Sequence, residues 1–160
     1  MGVTRLLYAR AVIQRMRWDR TPAREMTLVA VMTGEDSRAL WNGMDTTMPM
    51  AGATPYNSFG PNDEYHVWNY ATAMSGVEAT VATLSQANMR AWVDVIALPR
   101  QSAETMTLAF ERCPWGGFGD ALPLQIVQDW LTKRRDYKSD ANQLVYGNGV
   151  WPYKRNGKPA

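Results

Sequence analysis

Residues 32–60 read MTGEDSRALWNGMDTTMPMAGATPYNSFG, and this stretch decides the fold. An apolar, helix-like run ends inside it at Gly34, and a carboxylate pair, Glu35 and Asp36, follows at once. A polar loop comes next, punctuated by Pro49, Gly52, Pro55, Gly60 and Pro61. The chain continues PNDEYHVWNY over residues 61–70 and ATAMSGVEATVATL over residues 71–84. Structureless loops beyond roughly 12–15 residues are uncommon in compact domains and are usually functional or disordered. This one is read as a wall of a substrate cleft, with short extended pieces such as residues 65–68 inside it.

Upstream, Leu6, Leu7, Ala9, Val12, Ile13 and Met16 recur at spacings of three and four, which predicts an amphipathic helix over residues 3–16. Thr21 is placed to cap a second helix, with Pro22 at its first position, where a missing N–H costs nothing. That helix carries Leu28, Val29, Val31 and Met32 and is expected to stop at Gly34, leaving Glu35 at a helix end beside buried surface.

Downstream, Ser75-Gly-Val-Glu78 reads as a capping box opening a helix with Val77, Val81 and Leu84 on its apolar face. Asn88 is expected to cap a helix that runs to Leu98 and is ended by Pro99. Ser102 is expected to cap another, carrying Met106, Leu108, Ala109 and Phe110, and a last helix is expected from Leu124 to about Tyr137. Between these lies Cys113-Pro-Trp-Gly-Gly-Phe-Gly119, a tight glycine-rich turn that matches no phosphate-loop spacing. The sum is a mainly α (α+β) fold of about six helices, with a long irregular or short-hairpin lobe after Glu35. Residues 1–138 are read as the domain and residues 139–160, ending NGVWPYKRNGKPA, as an extended arm.

Composition narrows the function classes. With 160 residues, 46% hydrophobic and 20% charged, the chain suits one globular domain with a real core. The single cysteine, Cys113, excludes an internal disulfide framework. No apolar stretch approaches membrane-span length, and the N-terminus has no signal-peptide run, so synthesis in the cytoplasm without a leader is expected. A net charge of +2 is too small to argue for nucleic acid, although basic residues cluster at 5–24 and 133–138. The seven tryptophans are suited to core packing, and some of them to stacking on sugar rings.

The chemistry centres on Glu35. A carboxylate half-buried at a helix C-terminus has its charged form disfavoured by desolvation and by the negative end of the helix dipole, so it tends to hold its proton. A general acid for glycoside cleavage needs that property. Asp45 is the best placed second carboxylate, ahead of Asp36, Asp63 and Glu64. Thr46, Thr47, Tyr56, Asn57 and Ser58 supply hydroxyl and amide groups suited to sugar recognition, or else satisfy the loop's own backbone. His66 and Cys113, the lone histidine and cysteine, supply no zinc site by themselves, and Cys113 before Pro114 reads as structural rather than as the nucleophile of a Cys–His pair. No metal and no cofactor are expected.

These residues resemble a lysozyme-like domain of actinobacteria and their phages. The likeness is carried by Glu35, by Asn42 followed by Asp45-Thr46-Thr47, and by Pro49-Met-Ala-Gly-Ala-Thr-Pro-Tyr-Asn-Ser58 with Gly60. It continues in Trp68-Asn-Tyr70, Gly76-Val-Glu-Ala-Thr80, Thr83-Leu84 and the turn 113–119, and so covers about residues 21–119. The order also resembles glucosaminidases and lytic transglycosylases. The resemblance implies a lysozyme-like fold and cleavage of peptidoglycan glycan strands, with Glu35 as acid, Asp45 as assistant, and Asn42, Tyr70 and Trp115 joining the loop residues around the sugar chain. Asp36-Ser37 stand where the family has two glycines, Gly43 and Asp45 replace a proline and an asparagine, and PNDEYHV is an insertion. The alternative is a non-catalytic virion structural or wall-binding protein of the same fold, its C-terminal arm docking other virion proteins. In either case the expected place of action is the cell wall, reached at lysis as an endolysin or from the particle at entry.

Overall fold

The computed structural model describes residues 2–116, 119 and 121–160. Its described residues form seven α-helices and two small antiparallel sheets, an α+β arrangement. The first strand, β1 (Val3–Thr4), runs directly into α1 (Arg5–Arg15), whose N-cap is the Thr4 hydroxyl accepting from the Leu7 N–H. The second helix, α2 (Pro22–Glu35), begins as its sequence dictates, with Thr21 accepting from the Arg24 N–H and Pro22 at the start. Every residue from Thr27 to Thr33 is buried, so α2 is enclosed on all sides, the expected state of a helix apolar all round.

The end of α2 differs from expectation. Gly34 lies inside the helix, and the left-handed residue that stops it is Asp36, at φ 43°. Asp tolerates this region better than most residues because its short side chain finds local partners. Here the carboxylate is held by the buried Arg5 at 2.7 Å, and Arg5 also donates to the Thr33 hydroxyl at 3.3 Å. The turn that follows is thereby tied to the start of α1.

After a loop come β2 (Thr54–Phe59) and β3 (Tyr65–Asn69), a hairpin whose register pairs Phe59 with Tyr65, Ser58 with His66 and Asn57 with Val67. Then α3 (Ala73–Leu84) starts earlier than the capping-box reading placed it. Thr72 is the cap, accepting from the Ser75 N–H, and Glu78 turns outward to pair with Arg15. Asn88 is likewise not a cap but part of a short 3-10 turn, Ala87–Met89, that leads into α4 (Arg90–Ala97). Ser102 does cap α5 (Ala103–Phe110), with Met106, Ala109 and Phe110 inward and Leu108 exposed. The turn at 113–119 opens as a 3-10 turn, Pro114–Gly116, while Gly117 and Phe118 lie outside the described residues. The expected last helix is divided into α6 (Leu122–Leu131) and α7 (Tyr137–Ala141), because Lys133 adopts a left-handed φ of 58° just beyond α6. α2 packs on α1, α5 and α6, which makes it the axis of the core.

The segment expected as an extended arm is folded back onto the domain. β4 (Leu144–Val145) pairs with β1, closing the two ends of the chain against each other. Trp151 then stacks on Tyr8 and on Trp41, with ring centroids 6.2 and 6.3 Å apart, and Tyr153 is buried beside it. Apolar aromatic surface explains the docking: a free arm would leave these rings in water. Trp41 is the anchor. Its N–H donates to the Tyr146 carbonyl, its indole N–H to the Asn148 carbonyl at 3.1 Å, and its own carbonyl accepts from the Tyr8 hydroxyl at 3.2 Å.

Two glycines let Trp41 sit there. A Cβ at Gly76 would lie 1.8 Å from the Trp41 carbonyl oxygen, and one at Gly147 would lie 2.3 Å from its indole ring. Gly76→Ala is therefore expected to lower unfolding stability by about 3 kcal/mol, since helix α3 or the Trp41 backbone must shift to admit the methyl group. Urea denaturation followed by tryptophan fluorescence measures this, and an unchanged midpoint would remove Trp41 as the anchor.

Candidate active site

Several elements converge on a cleft of about 700 Å³. The end of α2 contributes Glu35, and the following loop contributes Asp45, Thr46 and Thr47. The hairpin contributes Phe59, Tyr65 and Val67. The far side is formed by Thr83 at the end of α3, by Gln86, Asn88 and Met89 of the turn after it, and by Pro114 and Trp115. Glu35 is half-buried where the helix stops. Its neighbour Asp36 faces elsewhere, into a separate depression shared with Arg5 and Arg38, so only one of the adjacent carboxylates belongs to the cleft.

Asn42 explains how the loop keeps its shape. Fully buried, it accepts the Thr46 N–H at 2.8 Å through Oδ1 and donates through Nδ2 to the carbonyls of Thr46 and Trp68, at 2.9 and 3.0 Å. A side-chain amide with both ends engaged by backbone satisfies a loop that has no ladder of its own. Tyr70 does similar work: its hydroxyl donates to the Met48 carbonyl at 2.7 Å, and burial pushes the phenol well above its usual range. Thr46 pairs with the Thr83 hydroxyl and accepts from the Met48 N–H, and the Trp68 indole donates to the Thr47 carbonyl at 3.0 Å. The expectation that Asn42 and Tyr70 touch substrate is thus replaced by a role in holding the wall.

Asp45 is the unusual group. It sits at a left-handed φ of 53°, and its Oδ1 is buried without a hydrogen-bond partner among the described residues. Burial raises its carboxyl above the ordinary value of 3.8, and a hydrogen bond with Ser37 opposes the rise. Such a carboxyl holds its proton more strongly in the folded chain than in the unfolded one. The charge is therefore a cost to folding that is absent at low pH and grows as pH rises from the ordinary aspartate range through the raised folded value. Asp45→Asn is expected to stabilise the protein at pH 7 relative to the parent and to make little difference below pH about 3, where both states are protonated. Denaturation midpoints at the two pH values test the sign.

The remaining expected sugar contacts divide by sheet geometry. Successive residues of a strand face opposite sides. Tyr65 and Val67 share one face with Phe59, which pairs with Tyr65, and this face lines the cleft. Ser58 and His66 pair on the other face, Ser58 Oγ lying 2.8 Å from His66 Nδ1. Tyr56, beside a register shift, and Asn57, which pairs with Val67 on the cleft side of the hairpin, are both exposed on β2, and neither lines the cleft. Trp115 does line it, while its ring meets Trp92 edge-on at 6.3 Å. Sequence reasoning missed Phe59 and Tyr65 as cleft residues. The available signal was two strand-like runs separated by the turn-forming Gly60-Pro-Asn-Asp-Glu64, a hairpin pattern that places them opposite each other. Cys113 is buried, donates its S–H to the Phe110 carbonyl and has its thiol pushed up by desolvation, the opposite of an activated nucleophile.

Among the described residues no group of three His, Cys, Asp or Glu side chains could hold a metal ion, and no helix is long and apolar enough to cross a membrane. Comparison with protein-family models, curated proteins and solved structures found no match to this chain.

Because Asn42 is the fastener of the loop, Asn42→Ala is expected to cost about 3 kcal/mol, the buried Thr46 N–H being left unpaired and the Thr46 and Trp68 carbonyls each losing a donor. Hydrogen exchange should show the Thr46 amide losing protection, whereas an unchanged exchange rate would mean that something else holds the loop.

Proposed function

We propose that this chain cleaves the glycan strands of peptidoglycan, with Glu35 as the general acid. The observation that carries the reading is the position of Glu35: half-buried at the end of α2, on a cleft that it shares, among the described residues, with one other carboxyl, Asp45. Glycoside cleavage requires a proton delivered to the departing oxygen and a second group that activates water or supports positive charge at the anomeric carbon. Two carboxyls in differing surroundings, one at a helix end and one raised by burial, are the kind of pair in which acid and assisting roles separate. The cleft's other polar groups, Thr46, Thr47, Thr83, Gln86 and Asn88, are uncharged donors and acceptors matched to sugar hydroxyl and acetamido groups.

The order helix, glutamate, loop, hairpin, helix supports a lysozyme-like fold, as the sequence resemblance implies. The residues that resemblance quotes also help build the cleft: Thr46, Thr47 and Thr83 line it, and Asn42 and Tyr70 hold its wall. The non-catalytic reading, a wall-binding or virion structural protein, keeps the same cleft without the chemistry. Its subunit-docking version relied on a free C-terminal arm, and the packing of Trp151 and Tyr153 against the core weakens that support.

Purified actinobacterial wall is the substrate for the test, with release of reducing ends and of anhydro-muropeptides as the readouts. Glu35→Gln is expected to lower release by a hundredfold or more, the usual worth of a positioned general acid. Equal release by the variant would end the acid assignment, and if Asp45→Asn alone abolished release the acid would be Asp45. Retention on the wall with no product detected by mass spectrometry would support the binding protein over the enzyme.

A further inference from the structure

Phe59 and Tyr65 are the last pair of the hairpin before its turn, directly opposite each other in the register, with rings stacked at 5.6 Å and 27°. Both line the cleft, yet Phe59 is 47% and Tyr65 54% exposed. An aromatic pair left this far in water on the rim of a cleft marks a surface that something else covers. The backbone is shaped to hold it. Gly60, at φ +93°, has no Cβ, and a Cβ there would stand 2.8 Å from the Tyr65 ring.

The occupant follows from the company the pair keeps. The same cleft offers threonine hydroxyls, the side-chain amides of Gln86 and Asn88 and a third aromatic, Trp115, and among the described residues no lysine or arginine lines it. An anionic polymer would find no lysine or arginine to pair with among the described residues that line the cleft, and a purely apolar ligand would strand the amides. A sugar ring has axial C–H groups that lie flat on an aromatic face and equatorial hydroxyls that reach sideways to such donors and acceptors.

We propose that Phe59 and Tyr65 form an aromatic platform that binds one pyranose ring of an N-acetylated glycan at the hairpin end of the cleft. This rests on the glycan reading of the cleft, and adds to it a subsite carried by residues 59–65 rather than by the Thr46–Ser58 loop. The platform supplies affinity and register along the chain, leaving proton transfer to the carboxyls. Both side chains are largely exposed, so their removal leaves the core of the fold untouched.

The probe is chitotetraose, titrated into the full-length Glu35→Gln protein so that no cleavage occurs. Adding Phe59→Ala and Tyr65→Ala together is expected to weaken binding about tenfold, with the circular dichroism unchanged, and Tyr65→Trp is expected to retain it. In the protein with its aromatics intact, NMR should give intermolecular contacts between the Tyr65 ring and the C–H protons of the sugar, a measurement that does not depend on the double variant folding. Undiminished affinity in the double variant, absence of those contacts, or no chitotetraose binding at all would overturn the platform. So would a dimer in sedimentation that the double variant dissolves, since the pair would then hold a second copy. Product release from wall by the parent protein decides the catalytic reading separately: release with unaltered chitotetraose affinity keeps the enzyme and removes the platform, while aromatic-dependent binding without release does the reverse.

Discussion

Trp41 is held between two places where no side chain fits, and most of the architecture depends on that seating. Its carbonyl rests against Gly76 of α3, its indole against Gly147 of the C-terminal segment, and Trp151 stacks over it. Through the Tyr8 hydroxyl the same residue reaches α1, and Tyr8 is joined in turn to Thr80 on α3 at 3.0 Å. One residue in the loop after α2 therefore binds together the first helix, the third helix and the tail. Close backbone approach of this kind is possible only where a Cβ is missing, so the two glycines act as packing residues rather than as hinges.

The cleft is built on that anchor. With Trp41 fixed, Asn42 can be buried, and its amide dictates the path of residues 42–46. That path brings Asp45 and the two threonines to the side of Glu35. The wall is thus a loop in its dihedral angles but rigid in its connections, each buried polar group being answered by a neighbour. The exception is Asp45 Oδ1, buried without a partner among the described residues. An unsatisfied acceptor in an otherwise satisfied wall is a local cost, and costs of this kind gather where a site needs a group poised for a task.

The adjacent carboxylates show how one helix end sorts two similar residues. Glu35 is the last helical residue and remains on the face toward the cleft. Asp36 takes the left-handed position, turns the chain and is captured by Arg5. The pairing offsets the cost of burying the Arg5 guanidinium, as the backbone carbonyls of Asp19, Ile96, Ala97 and Leu98 do for the equally buried Arg24. It removes Asp36 from the set of groups able to serve the cleft, without any appeal to chemistry there.

What the sequence determined by itself was local. The caps at Thr21 and Ser102 and the apolar faces of α1 and α5 follow from residues within one or two turns of each other, whereas the second helix ends after Glu35 because Asp36, held by Arg5, stops it in place of Gly34. The cleft membership of Glu35, Asp45, Thr46, Thr47 and Trp115 was also within reach, since the loop's polarity and length call for a function. Where several polar residues competed for one local role, sequence alone could not choose. Thr72 took the cap expected of Ser75, and Asn42 and Tyr70, expected at the sugar, went into holding the loop. Tertiary structure alone decided those outcomes, together with the return of the tail and the presentation of Phe59 and Tyr65. The docking of the tail and the roles of Asn42 and Tyr70 depend on partners far along the chain: Gly147 beneath Trp41, the Trp68 carbonyl for Asn42, the Met48 carbonyl for Tyr70. Local propensity is set by neighbours along the chain, whereas the satisfaction of a buried polar group is set by whatever the fold brings beside it.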